Sequence, residues 1–401
     1  MLSQASATEV TEKKAPFSES KIAGGRNYAA LGYSALPFIA GIAYLGASST
    51  TRTYGPSHWF ANYRHGFMRR ALVGEAFSRV AYLSERTVHR LEVALFAVIC
   101  VLTALAFRKI LFGSIPERRF AAFLLAAPAF LPHMAYMDGE LDSFLYIALL
   151  LGALALMRLP ALPGLAMATV FSVVGLLTHE GFALMFYPLI LVLALDLMHS
   201  RQLKAGWVAT HLAVVILCFA AIVHFGALPG TPGQWIAEAQ QRTDMPIEGT
   251  VFLVLHFTLK QQLEFVRHLY SAKVVGSILL TLVICIPYFF ILKRLLNKTF
   301  AARGYSAGHR LLVMLLFACP LALTVLGHDV MRWVSALCIN ISLFLLLVYR
   351  SMPQKNDSQS VLTGWTAAPA YAATLLYLLA LGPFGIAGNR FVSNIGSLFG
   401  H

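Results

Sequence analysis

Three carboxylates fall within five residues at Asp138-Gly-Glu140-Leu-Asp142, a density that suits a general base or a cation site. Asp138 and Asp142 are four apart and would share a face if a helix ran through them. A solvated turn is the plain alternative. His179-Glu180 is a second ionisable pair; Gly-Phe-Ala follows it, so the two-histidine zinc spacing of HExxH is absent. An interhelical hydrogen bond would also account for it. In Gly327-His-Asp-Val-Met-Arg-Trp333, the trio His328, Asp329 and Arg332 sits within five residues, and Asp329 and Arg332 have the spacing to pair.

A fourth segment, Tyr54 to Glu75, interleaves His58, Arg64, His65, Arg69 and Arg70 with Trp59, Phe60, Tyr63 and Phe67. Guanidinium groups bind phosphate bidentately, and aromatics sit well at the lipid headgroup level. An interfacial helix with snorkelling arginines is the plainer reading, but no clean apolar stripe runs from Phe67 to Val80. Phosphate binding is therefore the reading preferred here for Arg64, His65, Arg69 and Arg70.

The elements that must carry these clusters are membrane helices. Of 401 residues 58% are hydrophobic and only 12% charged, too few to cover a soluble protein of this size. The mean hydropathy is +0.70. The apolar residues come in Leu/Ala-rich runs near twenty long, matching a hydrocarbon core of about 30 Å and not alternating as spanning strands would. Eleven transmembrane helices are predicted, at 27–47, 91–107, 120–137, 144–157, 162–178, 182–198, 207–225, 274–292, 311–326, 334–349 and 365–386. Together they form an all-α polytopic bundle over 27–387. Pro128, Pro132, Pro188, Pro287 and Pro320 fall within spans and should kink them.

A disordered cytoplasmic tail is expected over 1–26, with no cleavable signal peptide, and a short outer tail over 388–401. The polar stretch 352–360 reads as a cytoplasmic linker. The five cysteines lie in apolar runs without a CxxC pair, so neither a disulfide framework nor a thiolate metal site is indicated. The formal charge of +13 fits basic cytoplasmic loops better than nucleic-acid binding.

Counting charges orients the bundle. With the N-terminus inside, cytoplasmic segments hold 18 of the 31 Lys and Arg, while the four short outer segments hold 2. The rest sit in two long outer loops, 48–90 and 226–273. The second half of the later loop suits a helix lying along the membrane, and amphipathic helices are expected in the first. Charge cost places His179-Glu180 at an outer turn between two helices instead of mid-bilayer. All four clusters then reach one outer surface.

That layout resembles the GT-C superfamily of membrane glycosyltransferases and the Wzy and EpsG polysaccharide polymerases. The likeness lies in the large first outer loop, the inside N-terminus and the segments Tyr63–Glu75, Asp138–Asp142, His179–Glu180 and Gly327–Trp333. GT-C enzymes usually carry an acidic base early in the first outer loop. Here the first acid of that loop is Glu75, which moves the expected base to Asp138, Glu140 or Asp142, with Glu180 and Asp329 behind.

The resemblance implies a polyprenyl-phosphate- or diphosphate-linked sugar donor and a glycan or lipid-linked acceptor. Arg64, His65, Arg69, Arg70, His179, His328 and Arg332 would face the donor phosphate, and a carboxylate would take the acceptor proton. This inverting scheme requires no metal, although the carboxylates would permit a divalent cation. The expected location is a bacterial cytoplasmic membrane with the C-terminus outside. Two other classes stay open: a transporter or flippase of a lipid-linked or anionic solute, and a metal-dependent hydrolase using His179, His328, Asp138 and Asp329.

Overall fold

A computed structural model describes residues 28–45, 47, 53–80, 82–327, 329–351, 368–386, 388 and 392. The 1–26 tail, the 352–360 linker, most of the 388–401 tail and His328 lie outside the described residues. Within them the chain is helical throughout, and five helices are long and apolar enough to cross a membrane.

In chain order the helices are α1 (Tyr28–Ile42), α2 (Tyr54–Ser57), α3 (Leu72–Ser78), α4 (Glu85–Leu111), α5 (Ile115–Leu125), α6 (Leu131–Tyr136) and α7 (Asp142–Arg158). Then come α8 (Ala161–Thr178), α9 (Phe182–Met185), α10 (Tyr187–His199), α11 (Ala205–Phe225), α12 (Pro232–Gln240) and α13 (Gly249–His256). The series ends with α14 (Leu259–Leu269), α15 (Ala272–Ile284), α16 (Ile286–Ala302), α17 (Ala307–Ala318), α18 (Val330–Ser351) and α19 (Ala368–Leu381). The five long apolar stretches are α4, α8, α11, α17 with its 3-10 continuation to Val325, and α18.

The prolines interrupt helices as expected. Three of the predicted spans, 120–137, 182–198 and 274–292, fall into two helices each, because a proline lacks the N–H for the helical ladder and clashes with the carbonyl four residues back. Pro132, Pro188 and Pro287 occupy the first turn of the helix that restarts after each break. Pro320 opens the 3-10 segment Cys319–Val325. Restarts elsewhere are capped by side chains: Ser84 accepts from the Thr87 N–H, Ser271 from Val274 and Ser306 from His309.

Burial separates the centre of the bundle from its rim. Of the spanning stretch of α18, 89% is buried, against 22% to 39% for the other four. So α18 is the axial helix, and the others present apolar flanks such as Leu217, Val223 and Leu315 outward. Its inner face meets α16, α10, α5 and α4.

The two long loops build a second layer at one end of the bundle. Trp59, Phe60, Met68, Leu141, Trp235, Val251 and Phe252 form a small core of their own, separate from that of the bundle. Among the described residues the first loop holds the short helices α2 and α3, each partly buried, and a 3-10 turn at His58–Phe60, where amphipathic helices lying on lipid were expected. Their apolar residues are used against the second loop instead. The strongly two-faced helix is α14, which meets α15 at a bend of 78°.

Candidate functional site

Helix ends and one tight turn deliver the acidic groups. After α6 the chain turns through Met137–Leu141, with Gly139 at φ +80°, and α7 starts at Asp142. The helix does not continue from Asp138, so Asp138 and Asp142 do not share a helical face as their spacing suggested. A side chain at Gly139 would also strike the Glu92 carboxylate, its Cβ falling 2.3 Å from Oε1. Gly55 of α2 packs on this turn, where an added Cβ would lie 2.8 Å from the Glu140 nitrogen. Gly55→Ala should therefore displace the Glu140 peptide. The expected result is a loss of about 1–3 kcal/mol in stability from overpacking, read as a lower melting temperature of the purified protein, with little change in membrane insertion.

His179 terminates α8 in an extended conformation and α9 begins at Phe182, so two helices do meet at His179–Gly181. The His179 Nδ1 accepts the Gly181 N–H at 2.8 Å. Glu180 is gripped by Arg70, whose Nε lies 3.0 and 3.1 Å from the two carboxylate oxygens and whose Nη2 lies 2.5 Å from Oε1. Arg70 reaches it from a left-handed backbone, φ 63°, which costs a non-glycine residue on the order of 1 kcal/mol. Strain of that kind is tolerated where a side chain must be aimed.

The second ion pair is deeper. Arg332, in the first turn of α18, holds Asp142 with Nε and Nη2, each at 2.5 Å, and Asp329 with Nη1 at 3.0 Å. The local Asp329–Arg332 pair expected from spacing is present, but the dominant partner is Asp142, 190 positions away in sequence. Arg332 also lies over the Trp333 ring at 5.2 Å.

Between these pairs sits Glu140. Its side chain is 3% exposed and, among the described residues, takes no hydrogen bond. Burial pushes its carboxyl up to about 7; Arg332 opposes this, while Asp142 and Asp329 reinforce it. Glu180 goes the other way. Burial would raise it, but Arg70, then His179, hold it well below the usual carboxylate range. His58 and His179 are kept neutral by burial and by Arg70. The Tyr54 phenol, buried beside Glu140, is raised to about 12.

The four sequence clusters thus converge, though not as one uniform set. Asp138, Glu140, Asp142, Glu180, Asp329, Arg70, Arg332 and His179 gather at one end of the bundle. Asp138 is 7% exposed and lies in the same turn as Glu140. Arg69 stands at the edge, its Nη2 donating to the carbonyls of Val254 and Leu255 at 2.9 and 3.3 Å. Its Nε is buried without a partner, and its Nη1 is 4.0 Å from Glu180. Arg64 and His65 lie elsewhere: Arg64 lines a cavity between the two outer loops, and His65 binds Glu238 at 2.8 Å. Known protein families, curated proteins and solved structures give no match to this chain. Geometry alone carries the functional reading.

Among the described residues no group of three or more His, Cys, Asp or Glu side chains is arranged to hold a metal ion. Arg332 stands between Asp142 and Asp329 and binds both. Three contributors were not selected as site residues from sequence. Tyr54 and His58 lay in the Arg-rich loop, but a tyrosine or histidine near the headgroups has many plainer uses. Glu92 lay at the head of a predicted span, and only its 6% exposure against the Gly139 turn marks it.

Proposed function

We propose that this protein is a membrane glycosyltransferase or polysaccharide polymerase of GT-C layout, acting at the outer surface of an eleven-span bundle with its N-terminus inside. The donor is a polyprenyl-phosphate- or diphosphate-linked sugar, and the acceptor is a glycan or lipid-linked hydroxyl. One observation carries the reading. Glu140 is a buried carboxyl that is free of ion pairing and titrates near neutral pH, where a general base is most effective.

In this scheme Glu140 takes the acceptor hydroxyl proton as the oxygen attacks the anomeric carbon and the bond to the donor phosphate breaks. The phosphate leaves as an anion against Arg69, which of the three arginines nearest the buried acids makes only a long, 4.0 Å contact to a carboxylate. Arg70 and Arg332 act differently from the phosphate ligands they were expected to be. Each is bidentate to a carboxylate, so they position Glu180 and Asp142 and set the potential at Glu140. The scheme calls for no metal.

The test is transfer from radiolabelled polyprenyl-phosphate sugars by protein reconstituted in liposomes. Arg69→Gln should raise the donor KM about tenfold or more, as expected for loss of a charge-assisted contact to phosphate. A KM unchanged by that substitution would remove Arg69 from the scheme. Absence of transfer from every lipid-linked sugar, with solute uptake into the liposomes instead, would favour the transporter reading.

A further inference from the structure

We propose that the cavity between the two outer loops binds an acidic saccharide: a sugar ring bearing a carboxylate or phosphate group. The cavity, about 440 Å³, is walled by the segment Phe60–Arg64, by α3 and by α12 with the turn after it. Its size suits one or two sugar rings. It lies in the outer layer, over the small core of Trp59, Trp235 and Phe252, and not within the bundle where the ion pairs gather.

The charges on its wall are unevenly spent. Three arginines, Arg64, Arg79 and Arg242, line it together with two acids, Glu75 and Glu238. Both acids are committed. Glu75 accepts the Tyr63 N–H at 3.1 Å and pairs with Arg79 at 3.1 Å, while Glu238 takes His65 on both oxygens at 2.8 and 3.0 Å.

The donors are not committed to the same degree. The Arg64 guanidinium has no partner among the described residues, its only bond being the backbone N–H to Asn62. The Arg242 guanidinium makes one long hydrogen bond, 3.4 Å to the Phe60 carbonyl, and lies 5.6 Å over the Phe60 ring, and its Nη2 is buried without a hydrogen-bond partner. The Tyr63 hydroxyl is likewise buried and unpartnered. Two guanidiniums and a phenol with unused donors, facing acids already satisfied, define a site for an oxyanion. Phe60 and Trp235 form the cavity floor and are themselves almost wholly buried, so recognition rests on charge.

Arginines and acids make up much of the lining, and a water-borne acidic saccharide is the occupant proposed. As an acceptor in transfer it rests on the function proposed above; as a bound ligand it does not.

The experiment is ligand-observed NMR on the full chain in nanodiscs, with glucuronate, glucose 6-phosphate, glucose and inorganic phosphate as probes. Glucuronate and glucose 6-phosphate should bind and weaken with added salt, and glucose should not bind. Arg64→Gln and Arg242→Gln should each weaken glucuronate about tenfold. Arg64 is exposed, so its variant remains informative if Arg242→Gln fails to fold. Glucose binding as well as glucuronate, or glucuronate binding indifferent to Arg64→Gln, would overturn the proposal. Inorganic phosphate as tight as glucose 6-phosphate would also overturn it, by reducing the site to a bare anion hole. Glu140→Gln should leave this binding intact, so loss of transfer and loss of binding report on separate readings.

Discussion

Glu140→Gln is expected to abolish transfer and, at the same time, to make the protein more stable above pH 7. A positioned general base contributes about 10²–10⁴-fold to rate, and glutamine of the same shape cannot accept the proton. The stability gain follows from linkage. The unfolded carboxyl releases its proton near 4.5, whereas the folded one holds it to about 7. Between those values the native state binds more protons than the unfolded chain, so stability falls as pH rises across the window. By about pH 8 the buried charge costs on the order of 3 kcal/mol relative to its neutral form. Glutamine removes that cost. Thermal unfolding in detergent should show the variant melting higher than the parent at pH 8, with the gain shrinking toward pH 4.5. The rate profile of the parent should fall on the acid side with an apparent pKa near 7. Equal melting temperatures at pH 8, with transfer intact, would remove Glu140 from the role.

The placement of such a group shows how much was open to reading beforehand. The helical membrane character was plain in composition, since runs of apolar residues leave the backbone no other way to satisfy itself in lipid. The meeting of helices at His179–Gly181 was plain as well, because the alternative buried a charge at mid-bilayer. What the sequence concealed was pairing. Arg70 and Glu180 are 110 positions apart, and Arg332 and Asp142 are 190 apart. Nothing in either local segment indicates that the guanidinium is consumed by a carboxylate and not left for phosphate.

The prolines were visible, and the kinks expected of them differ along the chain. Before Pro287 the single intervening residue, Cys285, keeps right-handed helical geometry, whereas before Pro188 the backbone leaves it at Phe186. The packing of the two outer loops was hidden for a different reason. Trp59 and Phe60 look like headgroup anchors in isolation, and only the presence of Trp235 and Phe252 opposite them makes a dry core.

Arg332→Met is the substitution expected to disturb the molecule most. It leaves the Asp142 carboxylate, 2% exposed, without its counter-ion, and it releases Asp329. Breaking one side of a buried pair costs about 3–5 kcal/mol, chiefly because the remaining charge is stranded. Among the neighbouring charges, Arg332 does most to hold the Glu140 carboxyl down. Its loss should move that titration above 7 and shift the acid limb of the rate profile to higher pH.

Adding Asp142→Asn gives the decisive contrast. The stranded charge disappears, so much of the lost stability should return. One of the two acids that raise Glu140 disappears with it, so the rate limb should move back toward neutrality. The two effects in the double variant should therefore be far from additive, with a coupling of 1 kcal/mol or more on unfolding. Additive losses would mean that the pair contributes nothing as a unit. In that case the potential at Glu140 must be set by groups other than Arg332 and Asp142.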